Sequence, residues 1–140
     1  MRVNGVLIAA MCAITFATAA WAHDEKLEGS EWGVVGEEGT GARFVSFAGS
    51  GRLFGFGGCN RFSGSFEQHD HHLAISPLAA TKMACAPDAM AKEAQFLEML
   101  ARVRGVKVDH TLLLFLDDAG AGLQALTRRN AAPATGSDEE

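Results

Sequence analysis

Short apolar segments separated by glycine-rich turns constrain the fold of this chain more than any other feature. The sequence contains 16 glycines in 140 residues, and glycine supplies the positive-φ positions of tight turns and bulges. Segments rich in β-branched, aromatic or alternating apolar residues predict strands at 32–35, 43–47, 52–56, 61–67, 73–75, 106–108, 112–116 and 123–127. The short connections between them predict a mainly antiparallel sheet.

One segment has the periodicity of a helix instead. Pro87 suits the first helical turn, and Gly105 suits the position that follows the last turn. The apolar residues at helical spacing are Met90, Phe96, Leu97, Leu100 and Val103. The charged residues expected away from this stripe are Lys92, Glu93, Glu98 and Arg102. Because no other helix is predicted in the domain, the stripe must pack on the sheet.

These elements together predict an α+β fold. We expect a curved antiparallel β-sheet, half-open and barrel-like, with one helix packed across it. The expected domain organisation is a signal peptide at residues 1–22, one domain at 23–129 and a disordered acidic tail at 130–140.

The N-terminus has the organisation of a secretory signal peptide. Arg2 gives a positive start, residues 6–17 give an apolar core, and Ala20 and Ala22 are the small residues that signal peptidase requires. The apolar core is shorter than the roughly 20 residues of a membrane span, and the methionine before Cys12 argues against a lipid anchor. We therefore expect a periplasmic or secreted protein without stable membrane insertion after cleavage.

Cleavage after Ala22 would leave two cysteines, Cys59 and Cys85, in an oxidising compartment. An even number of thiols there predicts a structural disulfide. A redox-active pair is disfavoured because the spacing is not C-x-x-C, and no further ligands complete a thiolate metal site. In the chain-entropy model, a cross-link of this span stabilises a domain by about 3.5 kcal/mol.

The charge pattern and polar residues limit the possible functions. The net charge of −5 comes without a basic patch, which argues against nucleic acid as a partner. Ser63, Asp109 and His110 are the residue types of a hydrolytic triad, but no local motif presents the serine as a nucleophile. We therefore expect a monomeric protein that is not an enzyme and uses no cofactor.

The histidines suggest one alternative function. His69, His71 and His72 cluster in a predicted polar turn, and in an extended geometry His69 and His71 would share a face. Two imidazoles on one face could hold copper or zinc. His23, as the first mature residue, would add an amine and an imidazole. The other interpretation of the cluster is a solvated turn, and both remain open.

Four segments resemble the META/HslJ domain family, also called the heat-shock protein HslJ family. They are an opening strand, the pattern G-x-x-G-C-N-x-F-x-G-x-[YF] at 55–66, the pattern T-x-M-x-C at 81–85, and a helix at 93–100. The residues matching these motifs are Trp32, Gly58, Asn60, Phe62, Gly64, Thr81 and Met83. The resemblance spans residues 27–128 and implies a small α+β domain with a curved antiparallel sheet.

The resemblance also implies a function in envelope or heat-stress responses, without an enzymatic mechanism. We expect a non-enzymatic binding or maintenance factor that acts through a protein or a small apolar ligand. A carrier would hold its ligand between helix and sheet, beside Phe96, Leu100 and Phe115, in a cavity of at least about 300 Å3. The motif residues also have structural explanations: Gly58 and Gly64 suit positions closed to a Cβ, and Asn60 suits a turn with left-handed geometry.

Overall fold

The computed structural model describes residues 25–129 and places nine strands and one α-helix in them. The strands are β1 (Ser30–Val34), β2 (Phe44–Ala48), β3 (Arg52–Phe56), β4 (Arg61–His69), β5 (His72–Ile75), β6 (Ala79–Ala80), β7 (Gly105–Asp109), β8 (Leu112–Leu116) and β9 (Gly122–Arg129). Helix α1 (Pro87–Arg102) follows β6, and one turn of 3-10 helix (Gly49–Gly51) joins β2 to β3.

The predictions for the two ends of the chain concern residues outside this range. The signal peptide, His23 and the acidic tail at 130–140 are not among the described residues. Within residues 25–129, no helix has the length and apolarity needed to cross a membrane.

Eight of the strands form a closed antiparallel barrel in the order β3-β2-β1-β9-β8-β7-β5-β4, and the pairing of β3 with β4 closes the ring. Strand β4 is nine residues long and pairs with three strands. Its first half pairs with β3 and its second half with β5, while β6 adds two residues beside Phe62 and Ser63. The predicted α+β, barrel-like class is confirmed. The prediction of a half-open sheet is corrected, since the ring closes.

The pairing between β5 and β7 is the shortest in this ring. It consists of one register pair, His72 with Gly105. Two backbone hydrogen bonds flank that pair: Leu73 N–H donates to the carbonyl of Arg104 at 3.1 Å, and Val106 N–H donates to that of His71 at 2.9 Å. Beyond Leu73, β5 has no strand on this side within the described residues, and α1 lies across a groove instead.

Aromatic side chains fill the centre of the barrel. The largest fully buried ones are Trp32, Phe47, Phe96 and Phe115. The ring of Phe47 packs edge-on against Phe66 at 4.9 Å and against Phe115 at 6.4 Å between centroids, an arrangement that aromatic rings favour. An eight-stranded barrel is just wide enough for side chains to fill it, so this interior is a packed core.

The helix buries most of the predicted stripe and departs from it in its first half. Glu93, Phe96 and Leu100 are buried, and Val103 just after the helix is fully buried. Met90 was expected on the apolar stripe but is 48% exposed, whereas Glu93 was expected off it but is 8% exposed. The first half of α1 faces backbone N–H groups of the segment between β3 and β4, and a carboxylate satisfies such groups where an apolar side chain could not.

Gly55 provides a test of the close packing between β2, β3 and β4. A Cβ added there would lie 2.2 Å from the carbonyl oxygen of Phe44 and 2.5 Å from the ring of Phe62. We expect Gly55→Ala to lower the free energy of unfolding by about 1–3 kcal/mol, as overpacking typically does. Urea denaturation measures this. Gly41→Ala is the control, since a Cβ at Gly41 meets nothing within 4 Å; equal losses in both variants would contradict the packing argument.

Candidate functional site

A buried carboxylate lies at the centre of the motif residues. Glu93 projects from α1 towards the segment between β3 and β4. One of its oxygens accepts hydrogen bonds from the backbone N–H of Cys59, at 2.9 Å, and from that of Asn60. The other oxygen accepts from the Asn60 side-chain amide at 2.8 Å. Gly57 leaves room for this contact, since a Cβ there would lie 2.7 Å from the Glu93 side chain.

These hydrogen bonds change the acidity of Glu93. Burial acts to raise the pKa of this carboxyl, but the backbone N–H of Asn60, its side-chain amide and the N–H of Cys59 together outweigh burial and hold the pKa below its ordinary value. A carboxylate that accepts several N–H bonds is favoured in its charged form. Glu93 therefore acts as an anionic anchor for this segment of backbone.

Asn60 extends the anchor to the segment that precedes the helix. Its side-chain oxygen accepts hydrogen bonds from the Thr81 hydroxyl at 3.0 Å and from the backbone N–H of Met83 at 2.6 Å. The sequence suggests left-handed geometry for Asn60, but its φ is not positive. It joins segments more than 20 residues apart in the chain and is 6% exposed.

The predicted disulfide between Cys59 and Cys85 is present in the structure. It joins the same two segments as Asn60 does. The disulfide, Asn60 and Glu93 therefore hold residues 57–60, residues 81–85 and α1 together, and we call this arrangement the motif anchor.

The comparisons with known proteins agree with these motifs. A family model described as the META domain matches residues 16–130. The chain belongs to the META domain family. This confirms the predicted META/HslJ-like membership, and the match includes every residue of the motif anchor. No curated protein matches the chain.

Two solved structures resemble this META domain. An NMR structure of a protein from Burkholderia xenovorans is 22% identical, with 75% of this chain and 85% of that chain covered and a TM-score of 0.61. A second protein solved by NMR is 26% identical, with 76% and 92% covered and a TM-score of 0.56. Both likenesses agree with the fold described above.

The remaining motif residues of the META domain have identifiable places in the fold. Trp32 is fully buried in β1, and its indole N–H donates to the Ser30 hydroxyl at 2.6 Å. Phe62 packs against Phe96 on the helix, with 6.0 Å between the ring centroids. Gly64 is closed to a Cβ, as expected, because the Leu78 side chain would lie 2.7 Å from it.

Gly58 and Met83 differ from the other motif residues. Position 58 requires glycine because its φ is +115°. The position is not closed to a Cβ, since the nearest atoms would lie 3.6 Å from one. Met83 contributes its backbone N–H to the motif anchor, whereas its side chain is 61% exposed. The side chain of Met83 therefore lies on the surface of the domain.

That surface is a groove along α1. One depression of about 500 Å3 is lined by residues 74–78 with Leu97, Ala101 and Arg104. A second, of about 790 Å3, is lined by residues 78–84 with Met90, Leu97 and the anchor residues Asn60 and Glu93. The two depressions share Leu78 and Leu97, so they form one groove between α1 and residues 74–84. We call it the α1 groove.

The place predicted for a carried ligand is occupied by the core. Phe96, Leu100 and Phe115 are at most 2% exposed and belong to one hydrophobic cluster. The groove residues Leu97 and Leu78 pack against the outside of this cluster. Any apolar ligand of this region would therefore bind in the groove and not inside the barrel.

The predicted metal-binding histidines lie at the β4–β5 hairpin. His69 ends β4, His72 begins β5, and these two are paired across the strands, while His71 lies in the turn. The register therefore places His69 opposite His72 and not beside His71. Among residues 25–129, no three His, Cys, Asp or Glu side chains come together as a metal site would require. His23 lies outside those residues.

Sequence reasoning did not find Glu93 or the groove. A signal for Glu93 was present, because residues 93, 96 and 100 follow the i, i+3, i+7 spacing of one helix face. Glutamate is rarely buried without a partner, so the sequence alone places Glu93 away from the core. Its partners, Cys59 and Asn60, lie more than 30 residues away in the chain.

Proposed function

We propose that this META domain is a non-enzymatic, exported factor of envelope maintenance or heat stress that binds other polypeptides in the α1 groove. The envelope and heat-stress part of the proposal rests on the resemblance to the HslJ proteins. The binding part rests on one observation: Met83 and Met90 are 61% and 48% exposed and both line the groove.

Two further features favour a polypeptide over a small apolar ligand. Small-molecule pockets commonly bury about 70–90% of their ligand, whereas the α1 groove is an open channel beside a filled interior. Methionine side chains are flexible and polarizable, which suits a surface that accommodates varied apolar side chains. The metal-binding alternative has no supporting observation among the described residues.

Charged substitutions in the groove test this proposal. We expect the Met83→Glu/Met90→Glu double variant to bind reduced, carbamidomethylated α-lactalbumin at least about tenfold more weakly than the unsubstituted domain, measured by fluorescence anisotropy. An unfolded acidic polypeptide of this kind offers apolar segments that the groove can bind.

A matched control uses an exposed apolar residue on another face. Leu112, which begins β8, is 50% exposed and is not among the groove residues. We expect Leu112→Glu to leave the affinity within about twofold, which is below 0.5 kcal/mol. Unchanged binding by the double variant, or an equal loss with Leu112→Glu, would contradict the groove as the binding site.

A further inference from the structure

The α1 groove contains an unpaired sheet edge at β5. In an antiparallel ladder, successive residues direct their N–H and C=O groups to opposite neighbours. Ser76 N–H donates to the carbonyl of Ser65 in β4. Leu73 N–H donates to the carbonyl of Arg104, on the side of β5 that faces away from β4. The alternation therefore directs the N–H and C=O of Ile75 away from β4. No strand is paired there in the described part of the chain, and Ile75 lines the groove.

Strand β6 continues this edge. Thr81 N–H donates to the carbonyl of Arg61 in β4, and Ala79 is in register with Ser63. The N–H and C=O of Ala80, between them, are therefore directed to the other side, where the groove lies. An extended segment of about six residues covers up to 20 Å at 3.3 Å per residue, enough to reach both Ile75 and Ala80.

The opposite wall supplies contacts for side chains. Met90, Leu97 and Ala101 lie along one face of α1 and line the groove. A strand added to the sheet edge would direct alternate side chains towards this face, because successive side chains of a strand point to opposite sides. The groove thus offers backbone partners on one wall and apolar surface on the other.

Two of the three charged residues that line the groove are basic, although the chain carries a net charge of −5. Lys82 and Arg104 line the groove itself. Among the lining residues the acid is Glu93, whose two oxygens are already engaged with Cys59 and Asn60. Arg104 donates from one nitrogen to the carbonyls of Ala101 and Val103, and a guanidinium has further N–H donors. The groove is therefore complementary to a negatively charged partner.

We propose that the α1 groove binds an extended, apolar and acidic peptide segment as an added β-strand along the edge formed by Ile75 and Ala80. This inference rests on the proposed function and names the conformation and chemistry of the partner. Backbone hydrogen bonds to the edge supply affinity, and side-chain contacts with α1 and the basic residues supply selectivity, as in other cases of strand addition.

A set of matched peptides tests the proposal. The probe is a labelled peptide of about eight residues that alternates valine or leucine with threonine and carries two aspartates. The first control has the same side chains but N-methyl groups on alternate backbone nitrogens, which removes the donors that a paired strand needs. The second control replaces both aspartates by lysines. We expect each change to weaken binding at least about tenfold.

A charge-reversal variant assigns the selectivity to the groove. The side chain of Lys82 is exposed, so Lys82→Glu should leave the fold intact. We expect this variant to lose affinity for the aspartate peptide and to gain affinity for the lysine peptide. Lys107→Glu, an exposed substitution on β7, is the matched control and should change neither affinity. Equal effects of the two variants would overturn the assignment of charge selectivity to the groove.

Hydrogen exchange reports the added strand directly. Bound peptide should slow the exchange of the amide hydrogens of Ile75 and Ala80. If the N-methylated peptide binds equally well and these amides stay unprotected, strand addition is overturned, while the proposed function stands so long as Met83→Glu/Met90→Glu weakens polypeptide binding. Displacement of the peptide by laurate with no effect of N-methylation would assign the groove to a lipid and overturn the inference. Failure of every probe to bind would overturn both.

Discussion

Replacing Glu93 with alanine is expected to destabilise the domain by about 3–5 kcal/mol, since a hydrogen bond to a charged group contributes about 1.5–3 kcal/mol and coupled bonds are not additive. The substitution leaves the N–H groups of Cys59 and Asn60 without their acceptor in a buried place. It also removes the acceptor of the Asn60 side-chain amide. Urea denaturation at neutral pH measures the loss.

Two further variants separate the charge of Glu93 from its shape. Glu93→Gln keeps the side-chain size but brings an NH2 group against N–H donors, so we expect it to be destabilising as well. Glu98→Gln, at an exposed position of the same helix, should have little effect. A loss from Glu98→Gln equal to that from Glu93→Gln would show that general helix electrostatics, and not the motif anchor, is responsible.

The stabilisation by Glu93 also depends on pH. Because the folded-state pKa of Glu93 is lowered, its contribution is present in full above the unfolded carboxyl pKa of about 4.3. It is lost as the pH falls through the lower folded pKa. The difference in stability between the unsubstituted domain and Glu93→Gln should therefore be constant near neutrality and shrink in acid. A difference that grows on acidification would contradict the assignment.

Removing the disulfide is expected to have the second large effect. Cys59 and Cys85 are 26 residues apart, and the chain-entropy model gives about 3.5 kcal/mol for such a cross-link. We expect the free energy of unfolding of the Cys59→Ala/Cys85→Ala variant to be lower by about that amount, so that the variant unfolds at a lower urea concentration. Dithiothreitol should destabilise the unsubstituted protein and leave the variant unchanged. Equal responses of both proteins to the reductant would rule out the bridge as the cause.

The two effects are expected to be coupled. Glu93 accepts from the N–H of Cys59, so the carboxylate and the disulfide restrain the same residue. Residues that share a partner usually depart from additivity. We expect the triple variant with Glu93→Ala to lose less than the sum of the two separate losses, because the segment is already released once either restraint is gone.

The strands could be predicted well where local pattern decides them. Segments 52–56 and 112–116 match β3 and β8 at both ends, and Pro87 begins the helix as expected. The polar turn predicted at 68–72 was too long. Strand β4 continues to His69 and β5 begins at His72, which leaves a turn of two residues. Polar residues with exposed side chains extend a hairpin as readily as apolar ones.

Long-range pairing could not be predicted in the same way. Closure of the barrel depends on β1 with β9 and on the pair of His72 with Gly105, and periodicity carries no information on which distant strands meet. The two-residue strand β6 is too short to produce a pattern. Likewise, the cysteine count was sufficient to predict the disulfide, whereas the roles of Glu93 and Asn60 arise only when separated segments come together.

The narrow pairing between β5 and β7 has a consequence for behaviour at high temperature. Paired strands are protected against edge-to-edge aggregation because their backbone groups are already bonded to a neighbour. Parts of a protein held by few backbone bonds open before the whole unfolds, and here His72 and Gly105 form one register pair. We therefore expect heating to part β5 from β7 first, exposing Leu73 and Val106. Self-association of the heated domain would then begin at this junction, in molecules that are otherwise still folded.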